Sequence, residues 1–163
     1  MEDISNTQVD TPVPQQLPLP NPALKRLDVL VGTWNLKGRE TGPYGEINGQ
    51  VRFEWLEGGY FLVQHVDINH IGHHVKGIEI IGYGRGWDGA TSKDCTSSYF
   101  DSEGNAFTYI WDVEEDTLTI WGGQRGSPAH FKGNFSDDRN TITGAWEWPG
   151  GGYEATISRV RDQ

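Results

Sequence analysis

The chain has 163 residues, 35% of them apolar and 12% aromatic, with seven Trp. That is enough to bury a core in one domain of the usual ~100–200 residues, and it excludes both a second domain and a wholly disordered chain. Thirteen Lys and Arg against twenty-three Asp and Glu leave a net charge of −10, which repels phosphate backbones and anionic headgroups, so neither nucleic acid nor a membrane is an expected partner.

From Met1 to residue 21 the sequence is polar and carries Pro12, Pro14, Pro18 and Pro20, with Pro22 just beyond. Each proline removes an amide donor and disfavours helix at the preceding residue, so residues 1–21 read as a disordered or extended tail. Asn21 is placed to cap a helix whose first position is Pro22. Leu24, Leu27, Leu30 and Val31 then recur at helical spacing until Gly32, which predicts one short amphipathic helix opening a domain over residues 22–163.

After Gly32 the period falls to two. Ten strands are expected, over about Thr33–Glu40, Asn48–Leu56, Tyr60–Asn69, Val75–Gly84, Asp94–Phe100, Ala106–Val113, Thr117–Gly122, Ala129–Phe135, Thr141–Trp148 and Tyr153–Arg161. Clusters such as Glu57-Gly58-Gly59, Glu114-Glu115-Asp116 and Pro149-Gly150-Gly151-Gly152 separate them, and connections this short join only antiparallel neighbours. A meander of this length hides both edges by closing on itself. The expected fold is therefore all-β, a closed antiparallel up-and-down barrel with one short N-terminal helix. Such a barrel is filled by its own side chains or holds one small ligand.

The segment Leu30-Val31-Gly32-Thr33-Trp34, a helix running into a Gly-x-Trp strand, resembles the start of the calycin barrels, which include lipocalins, fatty-acid-binding proteins and nitrobindins. Ser158-Arg159-Val160-Arg161 is similar to the calycin closing strand, which sets a basic side chain over that Trp. Gly58-Gly59-Tyr60-Phe61-Leu62 and Gly77-Ile78-Glu79-Ile80-Ile81-Gly82-Tyr83 resemble an uncharacterised bacterial family of calycin-like domains. The resemblance implies a barrel with an inward cavity over roughly residues 22–161. Nitrobindins hold haem through a His near the chain end, whereas this sequence has no His after His130, so haem is not expected by that mode. Lipocalin disulfides are absent too, because Cys95 is the one cysteine. No apolar run reaches the ~18 residues of a span or follows a basic start, so the expected location is the cytoplasm.

Hairpin geometry suggests which side chains share a face. A turn at Ser102–Gly104 sets Tyr99 opposite Phe107, Ser97 opposite Tyr109 and Cys95 opposite Trp111. A turn at Glu114–Asp116 then sets Tyr109 opposite Trp121 and Trp111 opposite Thr119. That face is either an aromatic core or the wall of a pocket for a flat apolar ligand. The opposite face, with Ile110, Leu118 and Ile120, is apolar as well, so the parity stays open. Trp146 and Trp148 share a side with Tyr153 and Ala155 and extend the core or the lining.

In the third hairpin a turn centred on Gly72 sets His65 opposite Glu79, with Phe61 opposite Tyr83. Inside a dry barrel His65 and Glu79 would couple their titrations and move a proton; on the outer wall they form a solvated pair. His70, His73 and His74 cluster beside that turn, but adjacent His side chains diverge on an extended chain, and no metal is expected. Arg125 lies in a glycine-rich loop where it either meets an anionic ligand at a barrel mouth or remains a surface arginine. No nucleophile motif is present, and Gly82-Tyr83-Gly84-Arg85-Gly86 lacks the following helix of a phosphate cradle.

The expected function is a binding module for a small apolar or aromatic molecule, lined by Tyr83, Tyr99, Phe107, Tyr109, Trp111, Trp121, Arg125 and Trp146, without a cofactor. The alternative is a cofactor-independent isomerase, cyclase or hydrolase using His65 and Glu79. The expected assembly is a monomer or homodimer.

Overall fold

The computed structural model describes residues 12, 16–40 and 45–161. Most of the Pro-rich tail lies outside the described residues. Pro22–Leu30 form a helix capped by Asn21, whose side chain accepts a hydrogen bond from the Ala23 amide at 3.0 Å. It is a 3₁₀ helix, whose period of three sets Leu24, Leu27 and Leu30 on one buried face and leaves Val31 exposed as the cap.

Ten strands follow: β1 (Gly32–Glu40), β2 (Glu46–Trp55), β3 (Phe61–His70), β4 (His73–Gly82), β5 (Cys95–Asp101), β6 (Ala106–Glu114), β7 (Thr117–Gly122), β8 (His130–Phe135), β9 (Thr141–Trp148) and β10 (Gly151–Arg159). Each pairs antiparallel with its chain neighbours, and β1 pairs with β10 from Trp34 opposite Arg159 to Glu40 opposite Tyr153, which closes the barrel. Among the described residues no strand edge is left to pair with another chain.

The two ends of the barrel differ. At one end the 3₁₀ helix sets Leu24, Leu27 and Leu30 into a core with Trp34, Phe53, Leu62, Val113, Phe135 and Ile142. Trp34 is completely buried, and its indole donates to the Leu30 carbonyl at 2.7 Å. The Arg159 guanidinium lies 4.2 Å from the Trp34 ring centre and donates to the carbonyls of Val29 and Val31, each at 2.6 Å. These contacts tie helix, first strand and last strand together at the closed end. Trp55 adds a bond to Asp28 at 2.7 Å. Along the wall Gly133 and Gly144 face each other so closely that a Cβ on Gly144 would stand 2.3 Å from the Lys132 carbonyl oxygen.

Two tight turns set the registers that matter for the site. Ile71 and Gly72 link β3 to β4 with φ of 50° and 80°, both left-handed, as a two-residue primed hairpin turn demands. Glu115 and Asp116 link β6 to β7, with Glu115 at φ 52°. Each turn is one residue shorter than the three-residue turn expected from the sequence. Because side chains alternate, that single residue moves partners to opposite walls.

Candidate functional site

Period-two alternation sends Trp34, Leu36, Gly38 and Glu40 of β1 inward, and the registers carry that parity around the barrel. Several inward residues near the helix are fully buried, as Leu62, Ile81 and Ile142 are, while their cross-strand neighbours Trp55 and Ile157 are partly buried. Toward the far end Ile68, Tyr99, Tyr109, Trp146 and Tyr153 also point inward yet are only half-buried, and Phe107 at the rim is 48% exposed. An inward side chain keeps accessible surface only where it borders unfilled, solvent-reachable volume. The inner face of the open half, termed the cup below, is therefore packed against the core yet partly exposed.

Its wall is an arc of rings. Tyr99 and Phe107 lie parallel with centroids 6.1 Å apart, and Tyr109 meets both edge-on. Tyr109 in turn meets Trp146 at 5.7 Å, and Trp146 meets Phe131 at 5.7 Å. Trp148 contacts Tyr153, and across the seam between β10 and β1 Tyr153 contacts His70 of β3.

Deep in the cup sits Glu79, only 5% exposed. Its Oε2 accepts hydrogen bonds from Ser97 Oγ at 2.6 Å and Trp111 Nε1 at 2.8 Å. Burial pushes the Glu79 carboxyl up to about 7, against the two hydrogen bonds that favour its ionised form. The thiol of Cys95 and the phenol of Tyr109 are each raised by burial to about 12, and Tyr99 and Tyr153 are raised in the same way. At the rim Asp101 is affected by burial, which would raise its titration, but bonds from Asn105, Tyr99 and the Glu103 amide outweigh it and hold the carboxyl below its ordinary range. His70 Nε2 is buried without a hydrogen-bond partner, 3.6 Å from Glu40 Oε1.

Glu79 faces Gln64 across the β3–β4 ladder, and His65 faces Ile78 on the outer wall. There His65 Nε2 meets Glu54 Oε1 at 2.7 Å. The expected His65–Glu79 pair is thus not formed, because the Ile71–Gly72 turn shifts the register by one residue. The same effect at Glu115–Asp116 sets Tyr109 opposite Gly122 and Trp111 opposite Ile120, and turns Trp121 outward beside Ile110. Arg125 is outside as well, 4.8 Å over the Trp121 ring and bonded to Asp94 at 2.8 Å, so it does not stand at the mouth. Tyr83 follows β4 and packs against the core near the closed end. Tyr99, Phe107, Tyr109, Trp111 and Trp146 share the inner face, with Tyr99 opposite Phe107, Ser97 opposite Tyr109 and Cys95 opposite Trp111.

Gln64, Glu40 and Asp101 belong to the cup and were not among the sequence candidates, and Ser97 and Tyr153, placed on the aromatic face from sequence, were given no role of their own. The Trp34–Arg159 contact carried the signal for two of them, since it fixes the parity of β1 and β10 and hence sends Glu40 and Tyr153 inward. His74 is bonded to Asp67 at 2.5 Å on the outer wall, and among the described residues no group of three His, Cys, Asp or Glu is placed to hold a metal. A separate shallow concavity of about 530 Å³ lies over β8, β9 and β10, lined by outward residues such as Lys132, Glu147 and Glu154, away from the cup.

No family model matches the sequence, and no curated protein matches it. Among solved structures, a de novo designed fluorescence-activating β-barrel matches over 82% of this chain and 95% of its own, at 13% identity and a TM-score of 0.45. The crystal structure of Rv2717c from M. tuberculosis matches over 87% of this chain and 99% of its own, at 14% identity and a TM-score of 0.57. At that identity the likeness to Rv2717c is one of fold, a closed antiparallel barrel, which in this chain has ten strands.

Proposed function

We propose that the protein binds a small, flat, largely apolar or aromatic molecule in the cup at the open end of its barrel. One observation carries this reading: inward-facing Tyr99, Tyr109, Trp146 and Tyr153 pack against the core on one side yet stay only half-buried, so part of each ring is left open to a guest. Rings in such a position present large contact area at little conformational cost, while the phenol and indole groups orient a guest. The enzymatic alternative built on His65 and Glu79 lacks its base, because His65 lies on the outer wall.

Native mass spectrometry and calorimetry of the full chain with 2-naphthalenemethanol test the reading. A 1:1 adduct is expected, weakened about tenfold in Trp146→Ala, which removes roughly one ring's worth of contact. Absence of an adduct at millimolar probe, or equal affinity in Trp146→Ala, would overturn it.

A further inference from the structure

The charges of the cup are unequally distributed. Glu40 and Asp101 stand at the rim and Glu79 lies deep, all three on the inner face. Of the thirteen Lys and Arg in the sequence, the strand registers place Lys37, Arg39, Arg52, Lys76 and Lys132 on the outer face, opposite or alternating with the inward residues. Arg159 does face inward, but at the closed end, where it is spent on Trp34, Val29 and Val31. The remaining basic groups on the inner side are His70 and its cross-strand neighbour His73 at the rim.

Both hydrogen bonds to Glu79 end on Oε2, so Oε1 accepts none from a described residue. Among the described residues the enclosed side-chain polar atom without a partner is His70 Nε2, so Glu79 Oε1 borders open volume. A buried oxygen that reaches the cup without a partner is a strong acceptor waiting for a donor. Where a ring face is open to the cup, its quadrupole also favours positive charge.

We infer that the cup selects an organic cation, a primary ammonium carried on a flat apolar or aromatic body, with the ammonium donating to Glu79 Oε1 and the body lying along Tyr99, Tyr109 and Trp146. This inference rests on the binding reading above and names its ligand class. An anionic guest of the same shape meets three carboxyl groups and, among the described strand residues, no inward-facing Lys or Arg in the open half, and is rejected.

The test compares three matched probes by calorimetry on the full chain at pH 7.5: 2-naphthylmethylammonium, 2-naphthalenemethanol and 2-naphthoate. The ammonium is expected to bind about tenfold tighter than the alcohol, and the carboxylate more weakly than either. Glu79→Gln is expected to weaken the ammonium about tenfold while leaving the alcohol within about twofold. If the alcohol or the carboxylate binds as tightly as the ammonium, or if Glu79→Gln leaves the ammonium unaffected, the cation preference is overturned while the cup remains a binding site. If none of the three binds, both readings fall.

Discussion

Replacing Glu79 by Gln keeps the size of the side chain and an oxygen to accept from Ser97 and Trp111, but removes the ionisable group. In the folded protein that carboxyl titrates at about 7, against an ordinary value of 4.5, because burial penalises its charge. The difference corresponds to about 3 kcal/mol at ~1.4 kcal/mol per tenfold change. Since the folded value is raised, the folded state holds a proton that the unfolded chain releases. The associated stability is full below pH 4.5, declines as pH rises, and is lost above about pH 7. Urea unfolding of wild type and Glu79→Gln, measured from pH 4 to 8.5, should therefore give a difference that grows in favour of Gln by about 3 kcal/mol across that range. The other titrating groups are common to both proteins and cancel in the subtraction. The neighbouring phenols and thiol, Tyr99, Tyr109 and Cys95, are all raised by burial and stay neutral throughout. A difference that does not vary with pH would show that burial does not raise the Glu79 carboxyl and would refute the reasoning.

Arg159→Ala should lower stability by about 3 kcal/mol, since it removes the ring contact and bonds to two backbone carbonyls of the helix segment, and Arg159→Lys should recover less than half in the same urea assay because an ammonium lacks the planar fork. Gly144→Ala, whose Cβ would collide with the Lys132 carbonyl at 2.3 Å, should cost about 3 kcal/mol, while Gly84→Ala, which meets nothing within 4 Å, should be near neutral; equal melting temperatures for the two would contradict the close approach. His65→Ala should leave both melting temperature and binding of 2-naphthalenemethanol unchanged, because its partner Glu54 is on the solvated outer wall; lost binding would return His65 to the site.

Strand number, order and closure were legible because turn residues punctuate a strict two-residue rhythm, and because Trp34 and Arg159 mark the seam from both sides. The β5–β6 register was legible for a chemical reason: Asp101 accepts from the Glu103 and Asn105 amides, a side-chain turn that Asp and Asn announce in sequence. The β3–β4 and β6–β7 registers were hidden by Ile71 and Glu115, which adopt left-handed backbone where glycine or asparagine would ordinarily signal the turn. A register off by one residue at Ile71 set His65 in the place of Gln64 opposite Glu79, and one off at Glu115 set Trp121 inside, whereas it lies outside. The helix was legible in place but not in type, although the i, i+3 spacing of Leu24, Leu27 and Leu30 is itself a period of three.

The seam between β1 and β10 has a consequence for biosynthesis. Every other ladder joins strands adjacent in the chain and can zip up as they leave the ribosome, but β1 has to wait for the final strand before its second edge is satisfied. Until then the nascent sheet is a curled ribbon with a sticky margin, and the stretch of cup that Tyr153 and Trp148 complete is missing. On the binding reading proposed above, a guest is retained only once β10 has joined β1, so occupancy of the cup would report that the ring is whole.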